Sequence, residues 1–272
     1  MFGQTTAITL RTGFLNSPPN KKKTSRAFVT TRWSLILSGA ELEDGERQTR
    51  VALTELCQIY WRPIFSFIVR RGYSLEDAED LTQDFFAKIL KGDWLRKADP
   101  DRGRFRSLLL RSLRNFLNDV GDRTNARKRG GGISFVSWDP WMAEVPSELT
   151  VSREALDSWS AEQVFDARWA ATVVKRVLRR LRDECESKGR LRVFETLSPY
   201  LVAERDDLSY ANLAGKLRVP EGTVKKLLYR IRQRYRFLLR DEVAQTVADS
   251  ADVEDELRYL CGALAAGSTE VM

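Results

Sequence analysis

The sequence predicts an all-α protein: two small helical domains joined by a Gly/Pro-containing linker, the second containing a helix-turn-helix. Three observations carry this. Apolar residues recur at the three- and four-residue spacing of a helix through most of the chain, and β-branched alternation is scarce. The one long aperiodic stretch, "RKRGGGISFVSWDPWMAEVPSELT", holds a glycine triplet and two prolines, and so marks a boundary. The length, 272 residues of which 43% are hydrophobic, suffices for two separate cores. No internal repeat is apparent.

Helices are expected over 47–71, 75–91 and 105–126 before the linker, and over 162–187, 191–203, 209–217, 222–244 and 252–265 after it. The corresponding organisation is a disordered extension over 1–27, a first domain over 28–128, a linker over 129–160, a second domain over 161–244 and a helical tail over 245–272. The extension contains "NSPPNKKKTSR", which buries too little apolar surface to order itself.

A formal charge of +7 points to a polyanionic partner, because Lys and Arg gain affinity by releasing counterions from phosphates. The chain has no histidine. The commonest general base and the commonest zinc ligand are therefore missing, which counts against hydrolytic or metal-dependent catalysis, and no metal or cofactor is expected. Cys57, Cys185 and Cys261 show no metal-ligand spacing and suit a reducing cytoplasm. No run of about 18 apolar residues occurs, so no membrane insertion is expected.

The helix over 75–91 opens with "SLEDAEDLTQDFF", which is acidic within a basic chain. Ser74 suits the N-cap, and Glu76, Asp77 and Glu79 favour the positive end of the helix dipole. At about 100° per residue, Ala78, Leu81, Phe85 and Ile89 form one stripe, while Glu76, Asp77, Asp80 and Asp84 lie opposite. Capping explains the first-turn acids. It does not explain Asp80 and Asp84, which repel one another and have no basic i+4 partner on that face until Lys88.

The next helix is basic. Phe105, Leu109, Leu113, Phe116, Leu117 and Val120 fall on one side; Arg111, Arg114, Asn115 and Asn118 share the other, a face able to bind phosphate and read base edges. The loop before it, "KGDWLRKADPDRGR", gathers Arg96, Lys97, Arg102 and Arg104 and suits an unstacked base.

Near the C-terminus, "LSYANLAGKLRVPEGTVKKLLYRIRQRYRFLLR" reads as a short helix, a turn at Arg218 to Pro220 and a longer helix. Val224, Leu227, Leu228, Ile231, Tyr235 and Leu238 point inward, leaving Thr223, Lys225, Lys226, Tyr229, Arg230 and Gln233 for a major groove. The tail "VEDELRYLCGAL" is an acidic amphipathic helix that either packs back on the domain or binds a regulator.

In that order, "SLEDAEDLTQDFFAKIL", "GRFRSLLLRSLRNFL" and "LSYANLAGKLRVPEGTVKKLLYRIR" resemble the sigma factors of bacterial RNA polymerase, specifically the two-domain extracytoplasmic-function (ECF) class, over roughly residues 28 to 244. "TTRWSLIL", "FDARWAATVVKRVLRRLR" and "DEVAQTVADSADVEDELRYL" resemble a Planctomycetes-type subgroup. The resemblance implies a cytoplasmic bacterial subunit, without enzymatic activity, that binds core RNA polymerase and promoter DNA. It implies that Asp77, Asp80, Gln83, Asp84 and Phe85 dock on the clamp of the largest polymerase subunit. It assigns Arg96, Lys97, Arg102, Arg104, Arg106, Arg111, Arg114, Asn115 and Asn118 to recognition and opening of the minus-ten element. Thr223, Lys225, Lys226, Tyr229 and Arg230 then read the minus-thirty-five element. An anti-sigma protein or another regulator is a further class of partner.

Two departures stand out: Arg218 replaces the family's usual turn glycine, and Glu221 places an acid at the start of the reading helix. The extra middle domain of housekeeping sigma factors has no counterpart. The alternative is a helix-turn-helix repressor or activator acting without polymerase, which has no use for Asp80 and Asp84. A recombinase or nuclease would instead need metal-coordinating acids or an activated nucleophile.

Overall fold

The computed structural model describes residues 45–91, 104–127, 158–202, 208–247 and 249–265. Among these, regular structure comprises eight α-helices and two short 3-10 turns, with no strand. The helices are α1 (Gly45–Arg70), α2 (Leu75–Lys91), α3 (Phe105–Arg127), α4 (Ala161–Ser187), α5 (Leu191–Leu197), α6 (Tyr210–Leu217), α7 (Glu221–Ala244) and α8 (Val253–Ala265). Each agrees with its expected span to within about two residues except α5, expected to reach 203. It gives way to a 3-10 turn over Ser198–Tyr200, where Pro199 has no N–H with which to continue the ladder. The expected extension over 1–27 and most of the linker, 129–157, lie outside the described residues.

Helix α1 buries Ile59, Tyr60, Ile64, Phe67 and Ile68 completely. It ends at Gly72, whose φ of 96° closes a turn in which the Gly72 N–H donates to the Val69 carbonyl at 2.9 Å. Helix α2 starts as expected: the Ser74 hydroxyl oxygen accepts from the Asp77 N–H at 3.1 Å. Ala78, Phe85, Phe86 and Ile89 face the core from α2, and Phe105, Leu109, Leu113 and Leu117 face it from α3. The Phe85 and Phe116 rings meet at 5.5 Å, and Phe86 stacks on Trp61 at 5.7 Å.

Helix α4 begins in a capping box: the Gln163 N–H donates to the Ser160 hydroxyl and the Ser160 N–H to the Gln163 side chain. Its buried stripe, Phe165, Trp169, Val173, Val177 and Leu181, sits among α1, α7 and α8. Burying each such large side chain contributes about 1.5–3 kcal/mol. The sequence places a domain boundary between α3 and α4, and across it the described helices share one cluster of buried residues. Phe165 of α4 lies 6.4 Å from Tyr60 and edge-on to Phe67 at 6.5 Å. The Arg70 Nε donates to the Trp159 carbonyl at 2.6 Å, pinning the end of α1 beside the start of α4.

Helices α6 and α7 are joined by the turn Arg218 to Pro220. Arg218 adopts the left-handed conformation (φ 56°, ψ 47°). Its N–H donates to the Gly215 carbonyl at 3.3 Å, and the Val219 N–H to the Ala214 carbonyl at 3.2 Å, the Schellman pattern that satisfies the last carbonyls of α6. Helix α8 packs back on α4 and α7 through Val253, Leu257, Leu260 and Leu264, the first of the two fates open to it in the sequence.

Candidate functional site

Three surfaces hold the candidate residues. On α2, Glu76, Asp77, Glu79, Asp80, Gln83 and Asp84 are exposed, all on the side away from Ala78, Phe85 and Ile89. The nearest expected counter-charge does not reach them: Lys88 pairs with Asp119 of α3 at 3.3 Å and lies over the Phe116 ring. Among the described residues, Asp80 and Asp84 make no ion pair. Phe85 does not belong to this surface. It is 1% exposed, because α2 turns it inward onto Phe86 and Phe116, so its expected docking contact is corrected to a core role.

On α3, Arg111, Arg114, Asn115 and Asn118 are exposed, opposite the buried Leu109, Leu113 and Leu117. Arg114 is partly engaged: its Nε and Nη2 both donate to Glu162 Oε1, at 3.1 and 2.8 Å. Burial works against the charge on Glu162, but a backbone N–H and Arg114 outweigh it and hold the carboxyl below its ordinary range. Arg96, Lys97 and Arg102 lie outside the described residues.

Arg106 requires a second correction. Expected beside the loop as a DNA contact, it is only 6% exposed. Its Nε donates to Glu256 at 2.7 Å and its Nη1 to Asp166 at 3.0 Å. The guanidinium lies 3.7 Å from the Tyr259 ring centroid and 5.4 Å from that of Trp169. Arg104 joins the cluster through Glu256, which it meets at 2.9 Å, and the Tyr259 hydroxyl donates to Asp166. The two ends of the pair respond differently. Burial opposes the charge on Arg106, yet Glu256 and Asp166 together raise it above the ordinary arginine value. On Asp166 burial prevails and pushes the carboxyl up, against the pull of Tyr259 and of an arginine it shares with Glu256.

On α7, Lys225, Lys226, Tyr229, Arg230 and Gln233 are exposed and Thr223 half-buried, while Val224, Leu228, Ile231, Tyr235 and Leu238 are buried as expected. Tyr229 is 65% exposed, the most of any large apolar side chain among the described residues. Lys225 leans over the Tyr210 ring of α6 at 5.0 Å, so the freer cations of this face are Lys226 and Arg230. The helix is held from behind: Arg232 donates twice to the Tyr200 carbonyl, and Arg192 donates to the Lys216 carbonyl at the end of α6.

Glu162, Asp166 and Glu256 were not among the sequence candidates. The signal for Glu256 was available: it sits within the stripe Val253, Leu257, Leu260, where an acid implies a buried counter-charge. Among the described residues, no group of three or more His, Cys, Asp or Glu is placed to hold a metal ion, and no helix is long and apolar enough to cross a membrane. Comparison with protein-family models, curated proteins and solved structures finds no match.

Proposed function

We propose that the chain is a dissociable initiation subunit of bacterial RNA polymerase, a sigma factor of the ECF class, acting in the cytoplasm and carrying out no bond chemistry of its own. What supports this reading is one arrangement: an exposed acidic face on α2, where Asp80 and Asp84 make no ion pair among the described residues, and separate cationic faces on α3 and α7, all on one helical scaffold. A protein that bridges a protein partner and DNA needs this separation, since carboxylates on the DNA side would repel phosphate. In this reading α1 to α3 form the unit that holds core polymerase and the minus-ten element. Residues 161–244 form the second unit, whose α6 and α7 act as a helix-turn-helix on the minus-thirty-five element. Thr223, Lys226, Tyr229 and Arg230 line the first turns of α7, the part of a recognition helix that meets base edges.

Run-off transcription with core polymerase tests the reading. The double reversal Asp80→Lys and Asp84→Lys is expected to abolish binding to core while leaving the fold intact, because both residues are exposed. Normal assembly and transcription by that variant would remove the role given to the acidic face. Tight promoter binding by the wild-type chain without core would favour a repressor or activator instead.

A further inference from the structure

We infer that the turn between α6 and α7 carries a phosphate site: Arg218, with Lys216 and Arg192, grips the DNA backbone at the wall of the groove that α7 enters. This deepens the reading of α6 and α7 as a helix-turn-helix on duplex DNA and rests on it. The first observation is a conformation. Arg218 sits at φ 56° and ψ 47°, and among the described residues it is the one non-glycine residue with a positive φ. The turn requires this conformation, because the Arg218 and Val219 N–H groups close α6 on the Gly215 and Ala214 carbonyls. It does not require a side chain. Glycine reaches the left-handed region without the clash between Cβ and the carbonyl oxygen that arginine suffers. The other positive-φ positions among the described residues, Gly72 and Gly189, are indeed glycine. Strained backbone of this kind gathers at ligand clamps, where the side chain it displays is in use.

The second observation is charge. Arg218 and Lys216 are exposed. Arg192 of α5 joins them through packing: its Nη2 donates to the Lys216 carbonyl at 2.6 Å, which sets the guanidinium at the last turn of α6, beside the residue that leads into Arg218. Among the described residues none of the three makes an ion pair, and the acids nearest in sequence, Glu195 and Glu221, pair with none of them. Cations gathered this way repel one another until an anion comes among them. In a helix-turn-helix the second helix enters the major groove by its N-terminal residues while the first crosses the backbone, so the turn between them lies against phosphate. Guanidinium suits that anion through its paired N–H donors. Such a contact has no base preference. It sets how α7 sits along the groove, and so which bases Thr223, Lys226 and Arg230 meet.

The test uses the full-length chain and a fluorescein-labelled duplex of mixed sequence, about 20 base pairs long, with affinity read by anisotropy over about 50 to 200 mM salt. Arg218→Gly is expected to weaken binding about threefold at the low-salt end and to reduce the slope of log affinity against log salt by about 0.9, as for one lost phosphate. The same variant is expected to raise the urea midpoint. Arg218→Lys keeps both the charge and the left-handed side chain, and is expected to hold the slope. The triple variant Arg192→Gln, Lys216→Gln, Arg218→Gly is expected to reduce the slope by about 2–3. A turn residue with a structural role alone would shift the urea midpoint and leave the slope unchanged, and that result for Arg218→Gly would overturn the site. So would a slope lost equally in Arg218→Lys, or a wild-type chain that binds no duplex at the lowest salt. Capture of core polymerase by the wild-type chain separates the wider reading. If no core is captured and the slope still falls in Arg218→Gly, the initiation-subunit reading falls and the phosphate site stands. If core is captured and the slope is unchanged, the site falls and that reading stands.

Discussion

Arg106→Leu is the perturbation whose cost can be worked most directly from the structure. It strips one cation from beside Glu256, which is fully buried, and from beside Asp166. Removing one member of a buried pair typically costs about 3–5 kcal/mol, because the other charge is left desolvated. Glu256 keeps Arg104 at 2.9 Å and Asp166 keeps the Tyr259 hydroxyl, so the lower end, about 3 kcal/mol, is expected. For a protein of this size that lowers Tm by roughly 6–12 °C. The double variant Arg106→Leu with Glu256→Leu removes both charges of that pair and leaves Arg104, 28% exposed, to turn to solvent and Asp166 with the Tyr259 hydroxyl. It should be more stable than the single variant by at least about 1 kcal/mol, a coupling within the range found for contacting residues. Urea unfolding followed by far-ultraviolet circular dichroism measures both. A single-variant cost below about 1 kcal/mol, or a double variant less stable than the single, would refute the buried network as described.

The remaining predictions concern caps, the turn and the α7 face. Arg218→Gly relieves a left-handed non-glycine residue and is expected to stabilise the chain by up to about 1 kcal/mol in chemical denaturation, less the backbone entropy glycine adds to the unfolded state. Ser74→Ala removes the acceptor for the Asp77 N–H and is expected to cost about 1 kcal/mol, read from the urea midpoint at constant slope. Lys226→Ala and Arg230→Ala are each expected to weaken promoter binding by about 1–3 kcal/mol where the contact is to a base, and by less where it is to phosphate. Unchanged affinity in both would exclude this face of α7 as the reader.

Most of the helical frame was legible because its causes are local. The stripes Ala78, Phe85, Ile89 and Leu109, Leu113, Leu117 are spaced by the helix turn itself, and Ser74 marks the start of α2 by what its hydroxyl can accept. At Phe85 the helical wheel points inward and the family resemblance points to a partner, and the fold follows the wheel. The family resemblance assigns Arg106 to DNA, yet it stands two turns before Leu113 and three before Leu117, on their side of α3. The engagement of Arg104, Arg114 and Lys225 was not legible, since Glu256, Glu162 and Tyr210 approach only through tertiary packing. Nor does a Gly/Pro-rich connection determine whether the units it joins touch; the ring contacts of Phe165 with Tyr60 and Phe67 do.

The ion pair between Arg106 and Glu256 spans 150 residues of sequence. During synthesis at roughly 5–20 residues per second, Arg106 leaves the ribosome some 8–30 s before its partner. Asp166 follows Arg106 by only 60 residues and can pair with it first, while the contact with Glu256 can form only among the last. The cation on the core face of α3 therefore gains its two carboxylates one after the other, and its site is complete only when α8 arrives.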